Sequence, residues 1–299
     1  MKIKQLAVAL TLASVAIGSY SCSKDDTPVL HLRPVLTDSK IYVDSVLSYT
    51  PAPGQFVNTS IADINTVNQI LDNKMICLGA WGGQITLRFD HTVLNEAGND
   101  IQIQGNPLAE PSPFSEPGVV WVMYDANGNG LADDKWYELK GSAFGQPGYI
   151  RDYKVTYFRP ENDADDVRWE DNQGAEGVVK HNTFHKQNYY PSWIKEDSYT
   201  LEGTLLPDDH VHMDKIITSS AFEYGYADNI PVKEGGDVLD ISNAVDAKGN
   251  AVKLPGIDFI KIQTGVLKDA GILGEISTEL VSVGDLHLIE AEAAAAAAQ

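Results

Sequence analysis

The sequence predicts an all-β fold, a jelly-roll-like β-sandwich with one short helix. Three observations carry this expectation. From residue 75 onward, short runs of β-branched and aromatic residues follow one another, each bounded by Gly, Asn, Asp or Pro, which is how strands separated by tight turns read. Apolar residues recur at helical spacing in only one stretch, 61–71. One turn chemistry is also reused, at Glu96-Ala97-Gly98-Asn99, Asp125-Ala126-Asn127-Gly128-Asn129 and Asp246-Ala247-Lys248-Gly249-Asn250. Residues of this kind close hairpins because they accept positive φ or bond their own backbone. Many short strands with little helix favour two packed sheets over a layered α/β arrangement.

Taken in order, residues 1–21 read as a lipoprotein signal peptide. Lys2 and Lys4 precede an apolar run at 6–17, which is too short to cross a bilayer as a stable helix. Small residues lead into Cys22, the expected site of lipidation, where several acyl chains would give stable membrane anchoring. Residues 22–40 form the lipidated Cys and a flexible tether, with Ser23-Lys24-Asp25-Asp26 directly behind the anchor and prolines beyond. The sandwich is expected to occupy 41–288, opening with a strand at 41–49 and a turn forced by Pro51, Pro53 and Gly54. A helix is predicted at 61–71, where Ile61, Ile64, Val67, Ile70 and Leu71 share a face behind Thr59 and Ser60 as caps. Strands are then predicted at 75–78, 85–89, 101–104, 119–124, 136–139, 153–158, 178–181, 199–205, 222–226, 238–241 and 258–264. Cys77 falls inside the first of these and reads as a buried, inert thiol. With only two cysteines there is no disulfide framework. Residues 289–299 are a low-complexity tail.

The formal net charge is −20, from 42 acidic against 22 basic residues. Such a surface repels nucleic acid and anionic lipid head groups, so nucleic acid is excluded as a partner. Divalent cations and neutral ligands remain compatible with it.

A cation has an obvious candidate seat. Oxygen-bearing side chains recur at Asp125, Asn127, Asn129 and Asp133, with Gly128 and Gly130 between them. The opening matches the calcium-loop spacing D-x-[DN]-x-[DN]-G, in which the next residue, Leu131, offers its backbone carbonyl. The twelfth loop position is Trp136 rather than Glu, so Asp133, Asp134 or Glu138 would have to close the shell. A structural Ca²⁺ is the cofactor expected here; the same residues also make an ordinary hairpin tip.

The densest aromatic region is 181–193, where Phe184, His185, Tyr189, Tyr190 and Trp193 are interleaved with Gln187 and Asn188. Rings beside amides hold neutral, partly apolar ligands such as a sugar ring or a corrin edge. These seven residues are the expected ligand site. Phe222, Tyr224 and Tyr226 alternate as if on one strand face and read as core. His210, His212 and Asp214 would share a face in an extended strand and could ligate a transition metal, or simply line a charged turn. No G-x-S-x-G, H-E-x-x-H or glycine-rich phosphate loop is present, and no catalytic residue is assigned. Clustered acids (Asp165, Asp166, Glu170 and Asp171) leave a glycan-active hydrolase as an alternative.

Several segments together resemble a family of surface lipoproteins from the Bacteroides group. They are YTPAPGQFVN at 49–58, LGAWGGQITLRFDHTV at 78–93, the Asp125 loop, NTFHKQNYYPSWIKED at 182–197, LPGIDFIKIQTGV at 254–266, GILGEISTEL at 271–280 and DLHL at 285–288. Related members often carry an immunoglobulin-like or PKD module before the sandwich, where this chain has the short tether. The resemblance implies a lipid-anchored protein exposed on the outer face of the outer membrane, beside a TonB-dependent transporter in a cobalamin-uptake locus. It implies a non-enzymatic binding protein for a corrinoid; a calcium-dependent carbohydrate-binding jelly roll is the alternative. The family contributes no ligand residues. On this reading, Cys22→Ala should release the protein from the membrane fraction. Replacing Lys24, Asp25 and Asp26 with Ala should leave it anchored but shielded from protease added to intact cells, and continued digestion would rule out the surface tag.

Overall fold

The computed structural model describes residues 30–298. The expected signal peptide at 1–21, the expected lipidation site Cys22 and the Ser23–Asp26 segment lie outside the described residues. The chain from His31 onward forms one compact unit and is an all-β sandwich of antiparallel sheets.

Its centre is the strand Gly256–Thr264, GIDFIKIQT, which bonds Gln84–Leu94 on one side and Gly118–Met123 on the other. Ser45–Thr50 extends the sheet past the first neighbour, and Tyr137–Leu139 and Ala244–Val245 extend it past the second, giving six strands. Side chains alternate between faces along each strand. Ile260 and Ile262 therefore share a face with their cross-strand partners Leu87, Val122, Ile85 and Val120, and this face is the main core. A three-stranded sheet of Asp237–Leu239, Ile101–Gln104 and Ser282–Asp285 closes that core, together with the short pair Ile76–Cys77 and Glu279–Leu280. Cys77 is buried there, and loss of solvent pushes its thiol pKa well up.

Lys261 and Gln263 point from the other face of the central strand. On that side stands a four-stranded sheet, ordered Ser198–Leu205, Ile150–Phe158, Val167–Asp171 and Glu176–Val179. It has its own core of Trp81, Tyr153, Val155, Tyr157 and Leu201. A third cluster joins Val119, Trp121 and Val266 to Tyr226 and to the hairpin Val211–Met213/Ile217–Ser219.

Two predicted elements differ. The stretch 61–71 is not an α-helix: it runs through turns into a 3₁₀ helix, Val67–Asp72. Asp63 starts the turn by accepting from Asn65 N, Thr66 makes no side-chain cap, and Asn73 at φ 56° ends the helix after six residues. The i, i+3 spacing that looked helical serves this tighter winding, which buries Val67 and Ile70. Residues 222–226 form no strand, because Gly225 reverses the chain at φ 91° against Gly141; a Cβ there would stand 2.4 Å from Gly141 Cα. The one α-helix among the described residues is Leu286–Ala297, capped by Asp285, which accepts from His287 N and Leu288 N. It takes in most of the alanine-rich tail.

The sandwich buries an unusual number of acids. Glu116, Asp228 and Glu279 bring carboxylate oxygens within 4.8 Å of one another. Asp228 takes backbone donations from Asn106 and Glu279, and Ser277 supplies donors to Glu116 and Glu279. Burial raises all three pKa values, and it pushes Asp237 to about 7 and Glu275 to about 8. For a carboxyl whose folded pKa is raised, the native state holds more protons than the unfolded state in the window between the two values. The contribution is complete below the unfolded pKa of about 4 and is lost as pH rises through the folded value. Melting temperature should therefore fall by several degrees between pH 5 and pH 8, and Glu275→Gln should reduce that fall. A melting temperature independent of pH across this range would contradict the assignment.

Candidate functional site

Strand register places one row of side chains across the sheet. Thr86, Lys261, Trp121, Glu138 and Val245 stand directly opposite one another on five successive strands. Directly paired residues of antiparallel strands project from the same face. The row therefore faces away from the main core, toward the four-stranded sheet. The two sheets do not meet along its whole length, and between them lies a cleft of about 470 Å³. Lys261, Trp121, Glu138, Gln84 and Trp136 line one wall. Arg151, Asp152, Thr200, Glu202, Gly203 and Thr204 line the other.

Local strain shapes the second wall. Arg151 and Asp152 form a bulge, since the register steps from Gly203 opposite Tyr153 to Leu205 opposite Ile150. Asp152 pays for it with φ 54°, a conformation disfavoured for a residue with a Cβ. Gly203 lets the wall approach the central strand: a Cβ there would fall 1.7 Å from Gln263 Oε1. Gln263 Nε2 bridges the sheets by donating to Gly82 O and Glu202 O.

The charges are arranged around the indoles. Lys261 Nζ sits 4.4 Å from the centre of the Trp121 ring and 5.6 Å from that of Trp136, a cation–π arrangement on both sides. Desolvation lowers the Lys261 pKa, opposed by the nearby charges of Glu138 and Glu202. Glu138 is 3 % exposed. Burial raises its pKa, while hydrogen bonds from Tyr149 OH and Thr204 Oγ1 (2.7 Å) and the Arg151 charge pull it back. Arg151 Nε lies 3.7 Å from Glu138 Oε2, and its terminal nitrogens donate to Asp246 O and Ala247 O. Flat apolar faces, an ammonium and hydrogen-bonding carboxylates within one cleft suit a ring-bearing polar ligand.

The aromatic stretch lies elsewhere, and most of it is structural. Tyr189 and Tyr190 are 1 % and 0 % exposed and belong to the core of the four-stranded sheet, so they are not available as ligand platforms. Trp193 is partly buried and stacks on Tyr49 at 6.2 Å. Gln187 Nε2 donates to Gln55 O and Val57 O, and Asn188 donates to Asp163. His185 meets Phe56 edge-on at 5.1 Å. Phe184, 71 % exposed, is the one ring that projects into solvent. The stretch serves to pin the 53–58 loop, because rings beside amides satisfy a loop's backbone as readily as they satisfy a ligand.

The Asp125 loop brings its polar side chains together. Asn127 Nδ2 and Asn129 Nδ2 both point at Asp133, at 3.2 Å and 3.0 Å. Asp125 is buried beneath them and accepts from Asn129 N and Gly130 N. Asp134 accepts from Ala126 N and Asn127 N, so it braces the loop from outside. Leu131 donates its N–H to Asn129 Oδ1 with its side chain exposed. Two carboxylates and two amides in one turn are a donor set of the right hardness for Ca²⁺. Glu138 belongs instead to the cleft and is taken up by Tyr149 and Thr204. His210 is not brought together with His212 and Asp214: its ring packs on Phe222 at 4.4 Å, while the other two are exposed.

Lys261, Trp121, Trp136 and Arg151 were not among the sequence-derived candidates, and Glu138 was one only as a calcium ligand. One clue to them was a lysine in the middle of the apolar run GIDFIKIQT, where a charge must answer to something across the sheet. Comparison of the chain with protein-family models and with curated proteins yields no match.

Proposed function

We propose that this protein is a non-enzymatic, surface-displayed binding protein that captures a neutral, ring-bearing nutrient and passes it to a TonB-dependent outer-membrane transporter. The corrinoid suggested by the resemblance is the first candidate ligand. The observation that carries the reading is the pair of indoles flanking Lys261 in the cleft between the sheets. A macrocycle larger than the cleft would insert an edge, its amides meeting the cleft's donors and carboxylates. A second reading, carbohydrate binding, is favoured by Glu138 and Glu202 beside the indoles, since sugar hydroxyls donate to carboxylates while their C–H faces stack on rings. In either case the Asp125 loop would hold a structural Ca²⁺. That ion would fix the connection between the strand bearing Trp121 and the strand bearing Glu138.

Calorimetry with cyanocobalamin and with neutral oligosaccharides separates the two. Trp136→Ala should weaken binding of the true ligand by ~1–3 kcal/mol, the scale of an aromatic anchor. Trp193→Ala should lower the melting temperature with little effect on affinity. Failure of both ligand classes at high micromolar concentration would overturn the proposal. For the cation, excess chelator should lower the melting temperature and added Ca²⁺ should restore it by binding linkage. Equal melting curves with and without chelator would remove calcium from the account.

A further inference from the structure

Among the described residues the Lys261 ammonium has neither a salt bridge nor a hydrogen bond; it lies against two ring faces, at 4.4 Å and 5.6 Å. An ammonium carries three N–H donors and no acceptor. Indole faces stabilise its charge but do not take up directed donors. Lys261 is only partly exposed, and holding its ammonium between two rings is costly where no oxygen reaches it. The neighbouring cation is already held by the protein: Arg151 donates to Asp246 O and Ala247 O and faces Glu138 at 3.7 Å.

The surrounding charges select what that oxygen belongs to. The lining holds two cations, Lys261 and Arg151, among three carboxylates, Glu138, Asp152 and Glu202, the last of them also paired with Lys154 at the edge. A ligand carboxylate or phosphate would meet these carboxylates as it approached Lys261. A ligand ammonium would meet Lys261 itself. A neutral group escapes both penalties, and the carboxylates need something besides charge from it. Glu202 is held only at the exposed edge, by Lys154 at 2.7 Å, so it is able to accept a further donor.

We infer that Lys261 is the specificity-determining residue of the cleft, selecting a neutral ligand whose ring edge places a carbonyl or hydroxyl oxygen beside a hydrogen-bond donor. The oxygen accepts from Lys261 Nζ, and the adjacent donor is accepted by Glu202 or Glu138. A ring stacked on the partly exposed Trp136 is within reach of Nζ, because the same indole flanks the ammonium. Primary amides and vicinal diols both carry this acceptor–donor pair, so a corrinoid edge and a sugar are two sources of one chemistry. The inference rests on the cleft being the binding site.

The test titrates wild type, Lys261→Met, Lys261→Arg and Trp136→Ala with cyanocobalamin and, separately, with neutral gluco- and manno-oligosaccharides. Whichever binds is then compared with its own anionic counterpart, a cobalamin monocarboxylic acid or a uronic-acid oligosaccharide. Lys261→Met keeps the apolar contact with the indoles and removes the donors. It should weaken binding of the neutral ligand by tenfold or more while leaving the melting temperature unchanged or higher, and Lys261→Arg should retain part of the affinity. Wild type should favour the neutral ligand over the anionic one by at least tenfold. If Lys261→Met binds as tightly as wild type, or the anionic ligand binds better, the inference is overturned. A weakened Trp136→Ala would then show that the cleft remains the site. If Trp136→Ala has no effect, or wild type binds neither ligand, the cleft reading falls and takes the inference with it.

Discussion

A central strand with no contact with water on most of its length has to find partners for every polar side chain it carries, and Gly256–Thr264 carries four. Asp258 accepts from Thr92 Oγ1 at 2.6 Å, Arg33 Nε at 3.0 Å and Asp125 N at 2.8 Å. Thr264 Oγ1 donates to Gly79 O and accepts from Thr278 N. Gln263 ties the strand to Gly82 and Glu202, and Lys261 rests between two indoles. Leaving any of these groups unpaired costs on the order of 1–3 kcal/mol, and more for a charge. The N-terminal segment, the Asp125 loop, the glycine-rich 79–83 turn and the second sheet are therefore all drawn to the same strand.

The cleft is a consequence of how that demand is met. Gln263 pulls the second sheet close at Gly203, the only point where the wall lacks a side chain to hold it off. One residue pair away the Arg151–Asp152 bulge turns the wall outward. Between these two points lies the cleft, lined by Lys261, Trp121, Glu138 and Val245 of the row, with Glu138 fixed by Tyr149 and Thr204. Asp152 in the left-handed region is thus part of the site's architecture, in the place where strain accumulates in binding proteins.

The Asp125 loop sits at the hinge of this arrangement. It follows the strand that supplies Trp121 and leads into the residues that supply Trp136 and Glu138. Its own carboxylate is tied to backbone N–H groups, and its backbone is tied to Asp258. A cation bound there would act on the cleft through chain connectivity, without touching a ligand. Positive φ at Gly128 and Gly130, 70° and 74°, is what allows the turn to be this tight.

The sequence by itself determined the class of the fold. Alternation and turn residues are local, period-two features, and they survive into the structure almost everywhere that hydrogen-bonded neighbours exist to use them. It also singled out the Asp125 loop as a candidate cation seat; Trp121, Trp136 and Glu138, which flank that loop, line the cleft. Where spacing was ambiguous, tertiary context decided. The 61–71 pattern became a 3₁₀ turn, because six residues capped by Asn73 cannot sustain an α-helix. Tyr189 and Tyr190 went to the core, because burying an aromatic ring is favourable whether or not a ligand exists. Only the folded arrangement could bring Lys261 opposite Trp121 and place Arg151 and Glu202 across from both. These residues are distant in sequence, and register between strands, which no local pattern records, is what makes them neighbours.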